Sequence, residues 1–378
     1  MKRLIPAAML AVLLLLPSAI MAAAQSAQPL NAQRVLQWLQ CVQQQGNGQI
    51  GNGGNPVARS SEVALGLAAA GQPASAMHSG AASLADYLKT ATSTDVGTNG
   101  ELLLARVSQP GTGPTATVAL QLQASASTSG PTAGEYGADI FSDAYAILGL
   151  RADEQPLSVD AISFLKRQQK SDGGWSFDNA DQFGTDSNTT ALVIQALISA
   201  GVAPDDAAID NAFKYLETVS GPGGFEDSPG SGPDPNSNEL VSQAIVAAGR
   251  QTADPWRALL DQSLKSLDDQ QIASGADAGA IASAFSKLFA STDAPAVFLL
   301  SPLTQTGVAK TTVPLLACPA ASAATPAPTA TATPRPPIAA RLAQTGSSQP
   351  PWQLLLGLLT VLGGLAVHRR FASRVPYR

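Results

Sequence analysis

Histidine, cysteine, aromatic and charged residues are all scarce in this chain, and each scarcity removes a class of function. Two histidines, His78 and His368, and two cysteines are too few soft ligands for a catalytic zinc centre. Charged residues make up 13 % of the 378 positions and the net charge is −6. That balance argues against a nucleic-acid surface and for solubility through mild acidity. Aromatics are only 5 %, too few to line a large cavity. No metal and no cofactor is expected.

What the chain does have is a repeated helix–loop–helix. In Asp160 to Ser176 an apolar helix runs through Phe164 and Leu165 to Gln169, and a Gly173-Gly174-Trp175 turn follows. A second helix then runs from about Asp186 to Gly201, where the glycine stops it. The plan recurs around Trp38-Leu39, Gln43, Gly48 and Ile50, and around Tyr215-Leu216 and Gly223-Gly224-Phe225. Aligning Gln195-Ala196-Leu197 with Gln243-Ala244-Ile245 gives a period of about 45–50 residues, typical of stacked helix pairs that cannot bury their apolar faces alone. About six pairs are expected. The first helices fall near 31–45, 81–91, 115–125, 157–169, 207–219 and 255–267. The second helices fall near 60–70, 99–107, 139–150, 186–200, 237–249 and 277–290.

The pattern aromatic-Leu-x-x-x-Gln-x-x-x-Gly-x-Trp, filled by Phe164, Leu165, Gln169, Gly173 and Trp175, resembles the prenyltransferase and squalene–hopene cyclase repeat. It is complete in one repeat and partial in two, with Ser220 where a glutamine would stand, and the resemblance spans about residues 30–292. It implies an all-α chain folded as an α/α toroid over residues 25–318, with first helices outside, second helices lining the centre, and Gln and Trp tying repeat to repeat. The family's catalytic parts are missing. There is no Asp/Cys/His zinc set and no Asp-x-Asp-Asp acid cluster. Asp205-Asp206-x-x-x-Asp210 is mis-spaced for Mg²⁺ and reads as a helix N-terminal turn after Pro204, while Asp268-Asp269 reads as a solvated helix end. Cys41-Val42-Gln43-Gln44 lacks the Glu that a thioester motif has at its third position.

Both ends concern location. Lys2-Arg3, the apolar run Leu4 to Met21 and Ala22-Ala23-Ala24 read as a secretory signal peptide, residues 1–24, with an uncleaved anchor as the alternative. The Ala/Thr/Pro-rich residues 319–341 read as an extended stalk. Leu342-Ala343-Gln344-Thr345-Gly346, an apolar segment over 352–367 and a basic tail over 368–378 resemble a cell-wall sorting signal of the LPxTG class. That implies a sortase as partner, although Ala343 replaces the proline that the transpeptidase reads. The alternative is a plain membrane helix with its basic tail held in the cytoplasm. Either version places the helical domain outside the membrane, where Cys41 and Cys318 would pair and close the ring, worth about 4–5 kcal/mol by chain-entropy models.

The candidate site is polar and lies at the starts of the second helices. Glu62, Glu101, Asp139, Asp143, Asp186, Asn188, Asn236, Asn238, Glu239 and Asp277 fall in or near those first turns, which a toroid would point to one face. Helix capping accounts for many of them. Asp143 and Glu239 lie inside apolar helices and are harder to assign to caps. Trp175 and Phe225 read as packing between repeats, whereas Tyr136 and Phe183 sit in Gly/Asp-rich loops at the same rim. The ligand-binding candidates are therefore Tyr136, Asp139, Asp143, Phe183, Asp186, Asn188, Asn236, Asn238 and Glu239. The segment Asp186 to Ile198 is similar to inner-helix starts of the cobalamin-carrier toroids, which implies a corrinoid, with a terpenoid or a surface protein as other partners. Three functions stand at this stage: a non-catalytic binding module, a carboxylate-dependent hydrolase or degenerate cyclase, and a structural surface module.

Overall fold

The computed structural model describes residues 28–318 apart from 53, 179–182, 306–308 and 310. The signal peptide, stalk, Leu342–Gly346 motif, apolar segment 352–367 and basic tail therefore lie outside the described residues. The described chain is all-α, with helices α1 (residues 28–42), α2 (Pro56–Ala69), α3 (Leu84–Thr90), α4 (Val96–Ser108), α5 (Ala116–Ser125) and α6 (Ile140–Ala152). It continues through α7 (Ala161–Arg167), α8 (Ser187–Ser199), α9 (Ala207–Thr218), α10 (Pro235–Ala247) and α11 (Trp256–Gln270) to the short α12 (Phe289–Thr292) and α13 (Ala294–Phe298). None of these is long and apolar enough to cross a membrane. Two small antiparallel hairpins pair β1 (Trp175–Ser176) with β2 (Thr185–Asp186) and β3 (Ser220–Gly221) with β4 (Gly224–Phe225).

Helices α2, α4, α6, α8 and α10 are apolar or small-residue helices buried on nearly all sides, as expected of helices packed between others. Each packs on the next, α10 and α2 both pack on α13, and the succession returns to its start. The closest approach is between α4 and α6: a Cβ on Gly100 would lie 2.4 Å from the Tyr145 carbonyl, so only glycine lets these backbones meet. Helices α1, α3, α5, α7, α9 and α11 flank this ring with one apolar face each. Helix α9, for example, buries Ile209, Ala212, Phe213 and Leu216 and leaves Lys214 and Glu217 in solvent.

The turn after each outer helix carries the ties. Gln169 Nε2 donates to Gly173 O of its own turn and to Ala208 O of the next unit, both at 2.7 Å. Gln43 does the same with Gly48 O and Met77 O. Gln271 donates to Gly279 O and, across the whole chain, to Asn31 O at 2.9 Å, so the last unit is tied to the first by the bond that ties internal units. Gly173 and Gly279 adopt φ of +100° and +99° and lie against the carbonyls of Asn211 and Arg34, where a Cβ would sit 2.4 and 2.3 Å away. Trp175 is fully buried and its Nε1 donates to Leu165 O at 2.7 Å.

Two expectations are corrected. Residues 277–290 do not form the sixth inner helix: 271–288 is the turn of that unit, bridged at Gln271 and Ile281, and α12 and α13 supply the inner element. Alanine made the segment read as helix, but Gly275 and Gly279 at φ +89° and +99° end it, and Pro295 starts α13 late. Asp277 accordingly pairs with Lys287 in that turn and does not head an inner helix. The chain then passes under the ring, where Leu303 N donates to Gln195 Oε1 of α8 at 2.9 Å. It returns along α1 and α2 through Val313 N to Ala70 O, and Cys318 is bonded to Cys41 with Cα atoms 5.4 Å apart. That bond leaves no thiol at Cys41 for a thioester.

Candidate functional site

The inner helices start in one register. Asn55, Asp95, Asp139, Asp186 and Asp234 are N-caps whose side-chain oxygens accept from the amides of Ala58, Thr98, Ser142, Thr189 and Ser237 at 2.6–3.2 Å. Four or five residues later comes a second fixed role. Ser60, Asp143, Thr190 and Asn238 accept from the amides of Ile50, Tyr136, Trp175 and Phe225, the residues that end each preceding turn, and Ser291, in α12 with no side-chain cap before it, accepts from Ile281 N. Asp139 and Asp186 are therefore caps, and Asp143 and Asn238 hold turns. Asp143 also accepts from Gly137 N at 2.8 Å, its second oxygen has no partner among the described residues, and burial raises its pKa to about 7.

Farther along three of these helices come buried glutamates. Glu62 of α2, Glu101 of α4 and Glu239 of α10 stand seven, six and five residues after their caps and retain 5 %, 6 % and 0 % of their exposure. Glu62 Oε2, Glu101 Oε2 and both oxygens of Glu239 have no hydrogen-bond partner among the described residues. Tyr145 of α6 and Asp293, between α12 and α13, complete the layer. Burial pushes every one of these acids up, and their mutual charge adds to it. Glu101 is raised by Glu62 and Asp293, Glu239 by Asp293, Asp234 and Glu62, and Asp293 by Glu62. Glu62 is raised by burial, offset in part by the Thr292 hydroxyl and the Arg59 charge. Tyr145 is raised by burial and then by Glu101, Asp293 and Glu62. Arg59 sits over the Phe289 ring at 5.0 Å and is the cation that opposes the shifts of Glu62, Glu101 and Asp293.

From Tyr145 a file of rings leads outward. Phe141 meets Tyr145 at 5.3 Å and Phe177 at 6.0 Å, and Phe177 meets Phe183 at 6.2 Å. Exposure rises along it to 41 % at Phe177 and 68 % at Phe183. On another side of the same end Phe285, 83 % exposed, packs edge-on against Phe289. Beside Phe183 stand Asp186, with burial raising its pKa to about 7, and Asn188, whose Nδ2 donates to Asp227 Oδ1 at 3.0 Å. Asp186 Oδ2 and Asn188 Oδ1 are without partners among the described residues. Asn236 is buried in the first turn of α10.

Phe183 thus ends the file of rings, Asp186 caps α8, Asn188 bonds to Asp227, and Glu239 is fully buried in α10. Tyr136 departs from its expected place: it is 4 % exposed, and its hydroxyl accepts from Ser158 N at 2.7 Å. It lines an outer cleft of about 500 Å³ with Gln123, Leu157 and Val159. Arg59, Tyr145 and Asp293 were not among the sequence candidates; Arg59 and Tyr145 carry a readable signal, a polar or charged residue inside an otherwise apolar inner helix. Among the described residues no three His, Cys, Asp or Glu side chains form a group that holds a metal ion. Comparison with protein-family models and with curated proteins finds no match.

Proposed function

We propose that this chain is a cell-surface α/α toroid of six helix pairs that binds a small molecule at the end where its inner helices begin, without catalysing a reaction. The observation that carries the reading is the set of buried carboxyl oxygens on Glu62, Glu101 and Glu239 left without protein donors, at the inner end of a file of aromatic rings. Leaving such atoms unpaired costs about 1–3 kcal/mol each, which a ligand supplying donors returns. Exposed Phe177, Phe183 and Phe285 provide the apolar surface that small-molecule sites combine with a few polar groups. Surface display rests on residues 1–24, the stalk 319–341, the Leu342–Gly346 motif, the apolar segment 352–367 and the tail 368–378, with a sortase as the anchoring partner. The Cys41–Cys318 bond supports an oxidising compartment.

A hydrolase using Asp143 and Asp186 has one observation in its favour, two carboxyls with pKa values raised to about 7. Against it, Asp143 spends one oxygen on two amides and Asp186 spends one on its own helix. The test incubates the exported domain with corrinoids, terpenoids and envelope glycans and records thermal shift and product formation together. A ligand at about 100 times its dissociation constant stabilises by about 2.7 kcal/mol. Stabilisation without product, cancelled by Phe183→Ala, is expected; turnover lost in Asp143→Asn establishes the hydrolase instead.

A further inference from the structure

We infer that the layer of buried acids takes an organic polycation of the polyamine class, whose ammonium groups pair with the carboxyls of Glu62, Glu101 and Glu239. The inference rests on the reading of the inner-helix starts as a ligand site and names the chemistry of the ligand. Three side chains from three different helices, each more than nine-tenths buried, carry oxygens that no donor among the described residues reaches, so a ligand there would supply hydrogen-bond donors. Four acids face one cation. Among the described residues Arg59 opposes the rise of Glu62, Glu101 and Asp293, no cation opposes that of Glu239, and Asp95, Asp234 and the Tyr145 phenol add no positive charge. An ammonium group among them offsets the burial and mutual repulsion that keep these carboxyls protonated.

The same layer disfavours a single metal ion, because among the described residues no three acidic groups come close enough to share one. Donors spread along a chain fit carboxyls spread around a ring. The rings of Phe141 and Phe177 form a file with Tyr145 of the layer, and such rings suit both methylenes and ammonium groups. The proton balance follows. A carboxyl kept protonated by burial releases its proton to bulk water as the ammonium arrives, and the carboxylate and ammonium pair; no other bond changes. One proton is released for each carboxyl that ionises.

The experiment titrates the exported protein with spermidine in two buffers of different ionisation enthalpy, with an uncharged diol of similar length as control. Spermidine is expected to bind with buffer-dependent heat, and its affinity to rise with pH by about tenfold per pH unit for each proton released. Glu239→Gln, which mimics the protonated acid and keeps the packing, should weaken binding by about tenfold or more. Arg59→Gln should tighten it, and Asp269→Asn, an exposed acid paired with Lys265, should change nothing. Equal binding of the diol, heat independent of buffer, or an unchanged Glu239→Gln overturns the inference. If spermidine is silent while another ligand stabilises the protein in a way that Phe183→Ala cancels, the inference falls and the ligand-site reading stands. Silence across both panels removes both.

Discussion

Replacing Gly279 by alanine strikes the seam where the last unit meets the first. Its φ of +99° costs an L-residue about 1–2 kcal/mol, and the new Cβ would lie 2.3 Å from Arg34 O and 2.9 Å from Arg34 C. These are backbone atoms of α1 and cannot rotate away, so α1 must shift, at a further cost of about 1–3 kcal/mol for overpacking. The shift also stretches the bond from Gln271 to Asn31 O, worth about 1 kcal/mol. Gly275 provides the control: its φ is +89° and nothing lies within 4 Å of its Cβ position, so Gly275→Ala carries the backbone strain alone. The difference between the two variants, about 2–4 kcal/mol, corresponds to roughly 5–15 °C in midpoint at about 2–4 °C per kcal/mol. Circular dichroism melts of the disulfide-intact proteins measure it. Gly173→Ala, with its Cβ 2.4 Å from Asn211 O, should match Gly279→Ala if an internal seam and the closing seam are built alike. Indistinguishable melts of Gly279→Ala and Gly275→Ala would refute ring closure through this contact.

Stability should fall as pH rises through the acid range. Asp143 and Asp186 are raised from 3.8 to about 7, so their protonated forms stabilise the fold fully below about pH 4, and that contribution disappears by about pH 7. For fully buried Asp143 the loss approaches about 4 kcal/mol. Denaturant titrations at pH 4.5 and 7.5 should show the fall, and Asp143→Asn should flatten it. Asp143→Ala, which strands the Tyr136 and Gly137 amides, should cost about 2–5 kcal/mol at either pH; a loss below 1 kcal/mol speaks against its role as a tie. Reducing the Cys41–Cys318 bond should lower stability by up to about 4–5 kcal/mol, and mass spectrometry of the unreduced protein should find the two peptides joined. Two freely alkylated thiols would contradict it.

The outer turns were legible because their chemistry repeats: Gln169, Gly173 and Trp175 make the tie in one unit, Gln43 and Gly48 in another, and Gln271 and Gly279 in a third. The last of these was missed because alanine around it imitates helix, and helix propensity is a weak prior against two glycines in the left-handed region. The candidate site was legible in position and blurred in role. Asp143 and Glu239 read alike as acids in apolar helices, yet Asp143 stands four residues after its cap and Glu239 five. One residue turns a helix by about 100°, so adjacent positions take different roles: Asn238 holds the turn before α10, and Glu239 has no partner among the described residues. Phase at that resolution depends on where each helix begins, and those starts fall up to four residues from the expected positions, as at Pro56. Asp293 lies in a helix break that the pattern of pairs did not anticipate.

Hydrogen–deuterium exchange of the purified protein, with and without the ligand that raises its melting point most, locates the site directly. The account predicts added protection at the starts of α2, α4, α6, α8 and α10, centred on residues 58–62, 97–101, 141–145, 187–191 and 235–239, together with the loop carrying Phe177. Protection confined to the outer cleft at Tyr136, Leu157 and Val159, or to the outer helices α1, α5 and α9, would contradict it.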